Sequence, residues 1–130
     1  TARIPGDLAI CGLLEKQANF IGEYTTVLLP RSAKETVREV LTEEPRSALV
    51  DVECWIRLLE KGDLLYIVDT LSYVRKHEGQ SSNDPAIHAA CARAWATLLR
   101  GRAAKESGMR RKKMFEQAEL IETFLRARGR

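Results

Sequence analysis

The sequence predicts an all-α protein, a bundle of about five helices followed by an additional basic helix at the C-terminus. Apolar residues recur at helical spacing in most segments, no segment alternates convincingly as a strand does, and prolines and glycines separate the apolar stripes. The 130 residues, 45% of them hydrophobic and 30% charged, are typical of one soluble globular domain. No apolar run approaches the roughly 18 residues of a membrane span, so we expect no membrane partner.

Capping and helix-breaking residues predict the bounds of the first helix. Asp7 is a candidate N-cap, and the apolar residues after it extend the helix through Phe20 until Gly22 ends or breaks it. The short β-branched run over 24–29 fits either a helix or a strand, and Pro30 closes it.

Two further helices are expected before residue 63. Ser32 and Glu35 have the spacing of a capping box, and the helix that they begin should stop near Pro45, because a residue before proline avoids the α region. The next helix has Trp55 beside its apolar stripe, and Gly62 suits the left-handed position after its end. That stripe consists of Leu49, Val52, Ile56 and Leu59.

A fourth helix is predicted over 64–77, where apolar residues again recur at helical spacing. Asp63 can cap its start, and the cations at 75–77 suit its end because they complement the helix dipole. Gly79 then begins a polar loop. The stripe of this helix consists of Leu64, Ile67, Leu71 and Val74.

Two helices follow the loop. Asn83 or Asp84 caps the first of them, with Pro85 at its favoured first position, and Trp95 lies beside its apolar stripe. The final helix covers about 109–128. The two stripes are Ile87, Cys91, Ala94 and Leu98, then Met114, Ala118, Ile121 and Leu125.

Positive charge is concentrated in the last quarter of the chain. Residues 99–130 carry 10 Lys and Arg against 4 Asp and Glu, whereas the rest is net acidic. We therefore expect a helical bundle over 1–106 and a basic helix over 107–130 that docks on it or extends. The basic helix fits nucleic-acid binding through phosphates, a calmodulin-type target, or a solvated helix with a docked apolar stripe. Its candidate nucleic-acid contacts are Arg110, Arg111, Lys112 and Lys113.

The chain shows no catalytic signature, and we expect no enzyme, no cofactor and no metal site. The three cysteines, at 11, 54 and 91, are far apart and form no CxxC pair, so free thiols are expected. His77 lies among cations, where it fits contact with nucleic acid or an acidic peptide, and His88 fits a surface position.

The segment from Leu64 to Leu99 carries a family pattern. An apolar helix that ends in Val-Arg-Lys-His at 74–77 is followed by a polar turn and by a helix with Trp95 and Leu98. This pattern resembles the second half of the N-terminal domain of the transcription elongation factor TFIIS. The family, called LW or TND domains, includes elongin A, a Mediator subunit, the IWS factors and the integrase-binding domain of LEDGF. Cys91 stands where the family usually has leucine.

The resemblance implies a compact right-handed helical bundle in a nuclear protein that binds disordered motifs of transcription elongation or chromatin proteins. Such motifs are acidic and then hydrophobic, so that an aromatic or leucine anchor enters an apolar notch while the acids meet nearby cations. The expected partner-binding residues are Lys61, Tyr73, Arg75, Lys76 and His77. The expected core residues are Trp55, Ile67, Leu71, Trp95 and Leu98.

Two alternatives stay open. Residues 28–45 and 57–79 also resemble the middle helices of the death fold, particularly the CARD type, which would imply homotypic assembly through charged surface patches. A helical domain that binds nucleic acid through its C-terminal helix would instead show steeply salt-dependent binding.

Overall fold

The computed structural model describes residues 1–73, 75, 77–80 and 83–128. These residues form five helices and one two-stranded sheet, which confirms the prediction of a mostly helical bundle protein and adds a small sheet to it. The elements are β1 (Ala2–Ile4), α1 (Gly6–Lys16), α2 (Lys34–Thr42), α3 (Val50–Leu59), β2 (Leu64–Tyr66), α4 (Pro85–Ala103) and α5 (Gly108–Arg128). Short 3₁₀ turns lie at Tyr24–Thr26 and Arg31–Ala33.

Contacts group the chain into two compact units, Thr1–Arg75 and Lys76–Arg130. The basic helix α5 packs along α4 within the second unit. The division into a bundle over 1–106 and a basic helix over 107–130 stays a prediction.

Helix α3 is the centre of the first unit, because it contacts both α1 and α2. Its predicted apolar stripe is buried, and each large side chain removed from water stabilises the fold by about 1.5–3 kcal/mol. The buried residues of α3 are Val52, Cys54, Trp55, Ile56 and Leu59. Those that α1 and α2 contribute are Ala9, Ile10, Leu13, Leu14 and Val40.

The start of α1 differs from the prediction because its cap comes from a distant residue. Asp7 lies in the first turn, and it is the Asp63 carboxylate that accepts a hydrogen bond from the Gly6 N–H at 3.0 Å. Asp63 also accepts a hydrogen bond from the Arg3 guanidinium at 2.6 Å. The hydrogen bond from Arg3, and then that from Gly6, hold the pKa of Asp63 below its ordinary value. One carboxylate, on the residue directly before β2, therefore contacts both β1 and the start of α1.

The ends of the first helices also differ from the prediction. Helix α1 ends at Lys16, where Gln17 adopts the left-handed conformation with φ of 49°, so Phe20 lies outside the helix. Helix α2 has no side-chain cap, so the expected capping box from Ser32 does not form, although the helix does stop before Pro45. Gly62 has no left-handed conformation, because α3 ends in an ordinary helical turn.

The predicted helix over 64–77 is wrong. Leu64–Tyr66 forms β2, which pairs antiparallel with β1 so that Ile4 lies opposite Leu64 and Ala2 opposite Tyr66. The run Leu-Leu-Tyr-Ile-Val over 64–68 suits a strand as well as a helical stripe, and pairing with β1 decides between them. Residues 67–73 have no regular secondary structure, and Val74 lies outside the described residues.

The second unit is a helical hairpin. As predicted, Asp84 caps α4 by accepting a hydrogen bond from the Ala86 N–H at 2.8 Å, with Pro85 at the first position. Gly108 has a φ of 60°, which glycine tolerates, and starts α5 after a short connection. The side chains buried in this unit are Trp95, Ala96, Leu99, Ala103, Met114 and Ala118.

An ion pair links the two helices of the hairpin. The Arg100 guanidinium donates two hydrogen bonds to the Glu122 carboxylate, at 2.8 and 2.9 Å, and Arg126 approaches the same carboxylate at 3.5 Å. The hydrogen bonds from Arg100 hold the pKa of Glu122 below its ordinary value, and the pKa of Arg100 is raised.

Gly6 is the position where the packing of α1 against the end of α3 leaves no room for a side chain. A Cβ atom there would overlap the backbone carbonyl oxygens of Leu59 and Gly62, whereas one on Gly62 itself would meet nothing within 4 Å. We therefore expect Gly6→Ala to lower the free energy of unfolding by about 2 kcal/mol or more, because backbone atoms would have to move. Gly62→Ala should change it by less than about 0.5 kcal/mol. Urea unfolding followed by circular dichroism measures both, and equal effects would contradict the packing described.

The Arg100–Glu122 pair should make stability depend on pH. The folded-state pKa of Glu122 is lowered, so its contribution is present above the ordinary pKa of 4.5 and is lost as the pH falls through the folded value. We expect the thermal midpoint of the wild type to fall more steeply than that of Glu122→Gln between about pH 6 and 3. Arg100→Gln should flatten the profile in the same way. Parallel profiles for all three proteins would show that the ion pair is not formed in solution.

Candidate partner-binding surface

Among the described residues, large exposed apolar side chains are concentrated in a run of nine, 65–73, which we call the exposed segment. Six of its side chains are large and apolar, with exposed fractions between 39% and 91%. Monomeric domains rarely leave so many neighbouring apolar side chains in water, and such patches commonly mark interaction sites. The six are Leu65, Tyr66, Ile67, Val68, Leu71 and Tyr73.

The β1–β2 pairing and Asp63 position the exposed segment. Leu65 lies opposite Arg3 in the sheet register, and the Arg3 side chain is held by Asp63. The described residues form a sheet of two strands, so the outer edge of β2 pairs with no further strand among them. A strand edge of this kind is a template for an additional extended chain.

Two of the predicted core residues belong to this exposed segment, and that prediction is wrong. Ile67 is 39% exposed and Leu71 is 72% exposed. The reason is the loss of the predicted helix, since a stripe forms only where the 3.6-residue period is present. Trp55 and Trp95 are buried, whereas Leu98 is half-buried and its neighbour Leu99 is fully buried.

The structure gives the described partner-binding residues of the prediction different surroundings. The Lys61 ammonium donates a hydrogen bond to the buried Thr36 hydroxyl at 2.8 Å, which directs it towards α2. Arg75 is exposed just beyond the exposed segment, and Tyr73 is the most exposed side chain within it. His77 belongs to the second unit, where its N–H donates to the Gln80 side chain. Lys76 lies outside the described residues.

Partly buried polar groups of the first unit are satisfied by the loop over 19–22, which forms hydrogen bonds with residues of α3. The Asn19 side chain accepts hydrogen bonds from the Ile21 and Gly22 N–H groups, and it donates to the Gly22 carbonyl and to Asp51. The Trp55 indole N–H donates to the same Gly22 carbonyl at 3.1 Å. The loop therefore supports the core rather than a reactive site.

Cys54 and Tyr24 lie within this supporting core. Burial raises the pKa of the Cys54 thiol and that of the Tyr24 hydroxyl, so both groups stay protonated at neutral pH. The Tyr24 and Trp55 ring centroids are 4.9 Å apart. A protonated, fully buried thiol is not a nucleophile.

Three of the four basic residues at the start of α5 contact side chains four positions away in the sequence. Arg110 lies 4.0 Å from Glu106 and Lys112 lies 3.8 Å from Glu116, each one turn away, and the Arg111 guanidinium lies 5.7 Å from a phenylalanine ring centroid. Consecutive helix positions point about 100° apart, so the four cations do not share one face. The four are Arg110, Arg111, Lys112 and Lys113.

The described part of the chain contains no group of three or more His, Cys, Asp or Glu residues placed to hold a metal ion. None of its helices is long and apolar enough to cross a membrane. Comparison of the chain with protein-family models, with curated proteins and with solved structures finds no match.

Sequence reasoning did not include Leu65 or Val68 in this surface, and it placed Ile67 and Leu71 in the core. The available signal was the unbroken apolar run over 64–68, which is typical of a strand and leaves no polar face for a solvated helix.

The exposure of Leu71 gives a direct test of this surface. We expect Leu71→Ser to change the free energy of unfolding by less than about 0.5 kcal/mol, because the side chain leaves water in neither state. Leu59→Ser, at a buried leucine of the same unit, should cost about 2–5 kcal/mol. Urea unfolding of both variants distinguishes the structure from the predicted helix over 64–77. A large cost for Leu71→Ser would mean that this side chain is buried.

Proposed function

We propose that the chain is a non-catalytic protein–protein interaction module and that the exposed segment binds an extended peptide of a partner protein. The exposure of six large apolar side chains along nine residues supports this proposal. Removing such side chains from water on binding is favourable by about 25 cal/mol per Å² of apolar surface, less the cost of ordering both chains.

Backbone groups support an extended partner. Within the described residues, no hydrogen bond or ion pair involves 69–73 or Arg75, so their N–H and C=O groups are available to a pairing strand. A partner backbone would supply affinity through these groups, while apolar side chains at alternate positions would supply specificity. Leu71 and Tyr73 are the anchors of the site on this chain.

The charges near the exposed segment set the chemistry of the motif. Arg75 presents an exposed cation beyond Tyr73, and Asp69 presents an exposed carboxylate within the segment. A uniformly acidic peptide would be repelled by Asp69, whereas one with a single acid followed by apolar residues can place that acid at Arg75. The motif is therefore acidic at one end and apolar over the rest.

The resemblance to the TFIIS N-terminal domain extends this proposal to a nuclear module that binds transcription elongation or chromatin proteins. That extension depends on the resemblance alone. The described residues 64–73 form β2 and a stretch without regular secondary structure where the resemblance implies a helix, so the proposed mode is backbone pairing and not insertion into an interhelical notch.

A peptide selection tests the proposed function. A library of random 12-residue peptides displayed on phage is selected against the purified chain, and we expect enrichment of an acidic residue followed by leucine or aromatic residues. Replacement of both Leu71 and Tyr73 by Ser should weaken the selected peptides by about tenfold or more, because both anchors are lost. Arg75→Glu should weaken them by about threefold to tenfold.

Arg38→Glu is the matched control, because it makes the same charge change on the exposed surface of α2. It should leave peptide binding unchanged. Selected peptides that bind the Leu71 and Tyr73 variant as well as the wild type would contradict the site. Enrichment of no peptide, together with salt-dependent binding of a labelled duplex DNA, would favour the C-terminal helix as the functional element.

A further inference from the structure

Four residues in and just after the exposed segment form a self-complementary pattern. Asp69, Leu71, Tyr73 and Arg75 are spaced two apart, so they share one side of the chain when it is extended. All four are exposed, and none makes a hydrogen bond or ion pair within the described residues. Their order is acidic, aliphatic, aromatic and basic. When a second copy runs in the opposite direction, the acidic residue lies opposite the basic one and the aliphatic residue opposite the aromatic one.

An antiparallel pair centred on Ser72 brings these complements together. Asp69 of one copy then lies opposite Arg75 of the other, and Leu71 lies opposite Tyr73, each contact occurring twice. Opposite side chains in such a pair have Cβ atoms about 4.5–5.5 Å apart, which suits both an ion pair and an apolar contact. A parallel in-register pair would place Asp69 against Asp69, which is unfavourable.

We propose that a second copy of this chain occupies the exposed segment, through antiparallel pairing of Asp69, Leu71, Tyr73 and Arg75. This inference rests on the proposed function, because the second copy's acidic-then-apolar run from Asp69 to Tyr73 has the chemistry of the motif described above. Four side chains from each copy bury less than the roughly 1,200 Å² of stable complexes, so the dimer is weak and reversible.

Charge exchange tests the pairing. Sedimentation equilibrium of the full chain from about 10 µM to about 1 mM should show a concentration-dependent dimer. Asp69→Arg alone and Arg75→Asp alone each place like charges at both ends, and each should raise the dissociation constant by about tenfold or more. The doubly exchanged variant restores opposite charges, and its dissociation constant should return to within about threefold of the wild type.

Mixing the two single variants gives the sharpest result. The Asp69→Arg variant is basic at both positions and the Arg75→Asp variant is acidic at both. An equimolar mixture should therefore form a heterodimer at concentrations where each variant alone dimerises at least about tenfold more weakly than the wild type. Arg38→Asp is the matched control, and it should leave the wild-type dimer unchanged. Because all substituted side chains are exposed, circular dichroism should show the same fold throughout.

The outcomes separate this inference from the proposed function. A wild-type chain that stays monomeric yet binds selected peptides through Leu71 and Tyr73 overturns the second copy and leaves the peptide site standing. A dimer that is insensitive to the single substitutions, or a mixture that forms no heterodimer, overturns the pairing. A charge-dependent dimer with no selected peptide supports the pairing and overturns the general peptide site.

Discussion

The Asp63 carboxylate is the contact on which the arrangement of the first unit depends. It follows α3, it receives the first N–H of α1, and it pairs with Arg3 of β1. These contacts hold β1 beside the residues that follow α3, and residues 64–66 pair with β1 as an antiparallel strand. A charge-assisted hydrogen bond to a helix N-terminus is stronger than a neutral one, and the helix dipole adds to it. The exposed segment begins within β2, at Leu65, and continues beyond the sheet.

The core of the first unit is apolar, and several polar groups beside it are paired locally. Asn19 satisfies the turn at Gly22, and the Trp55 indole and the Tyr24 hydroxyl donate to backbone carbonyl oxygens. Burial without such partners would cost about 1–3 kcal/mol for each group. These hydrogen bonds support the packing of the first unit.

The second unit uses charge differently. Arg100 and Glu122 join its two helices, and the basic cluster at the start of α5 is partly neutralised by acids one turn away. Cations in the first turn of a helix oppose the helix dipole, and such ion pairs offset the cost. These ion pairs offset part of the positive charge of the hairpin, and for that reason we propose a peptide site rather than a nucleic-acid site.

The sequence by itself determined the helical class, the apolar stripe of α3, the capped start of α4 and the extent of α5. These are local properties, since spacing, Asp84, Pro85 and Gly108 act on their own helices. Only tertiary structure decided the conformation of residues 64–73. Their apolar spacing fits a helix, yet pairing with a strand about sixty residues earlier, together with the use of Asp63 at α1, made the run a strand and an exposed segment. A pattern within one segment cannot report a hydrogen-bonding partner that is supplied by another, and for that reason Ile67 and Leu71 were assigned to the core.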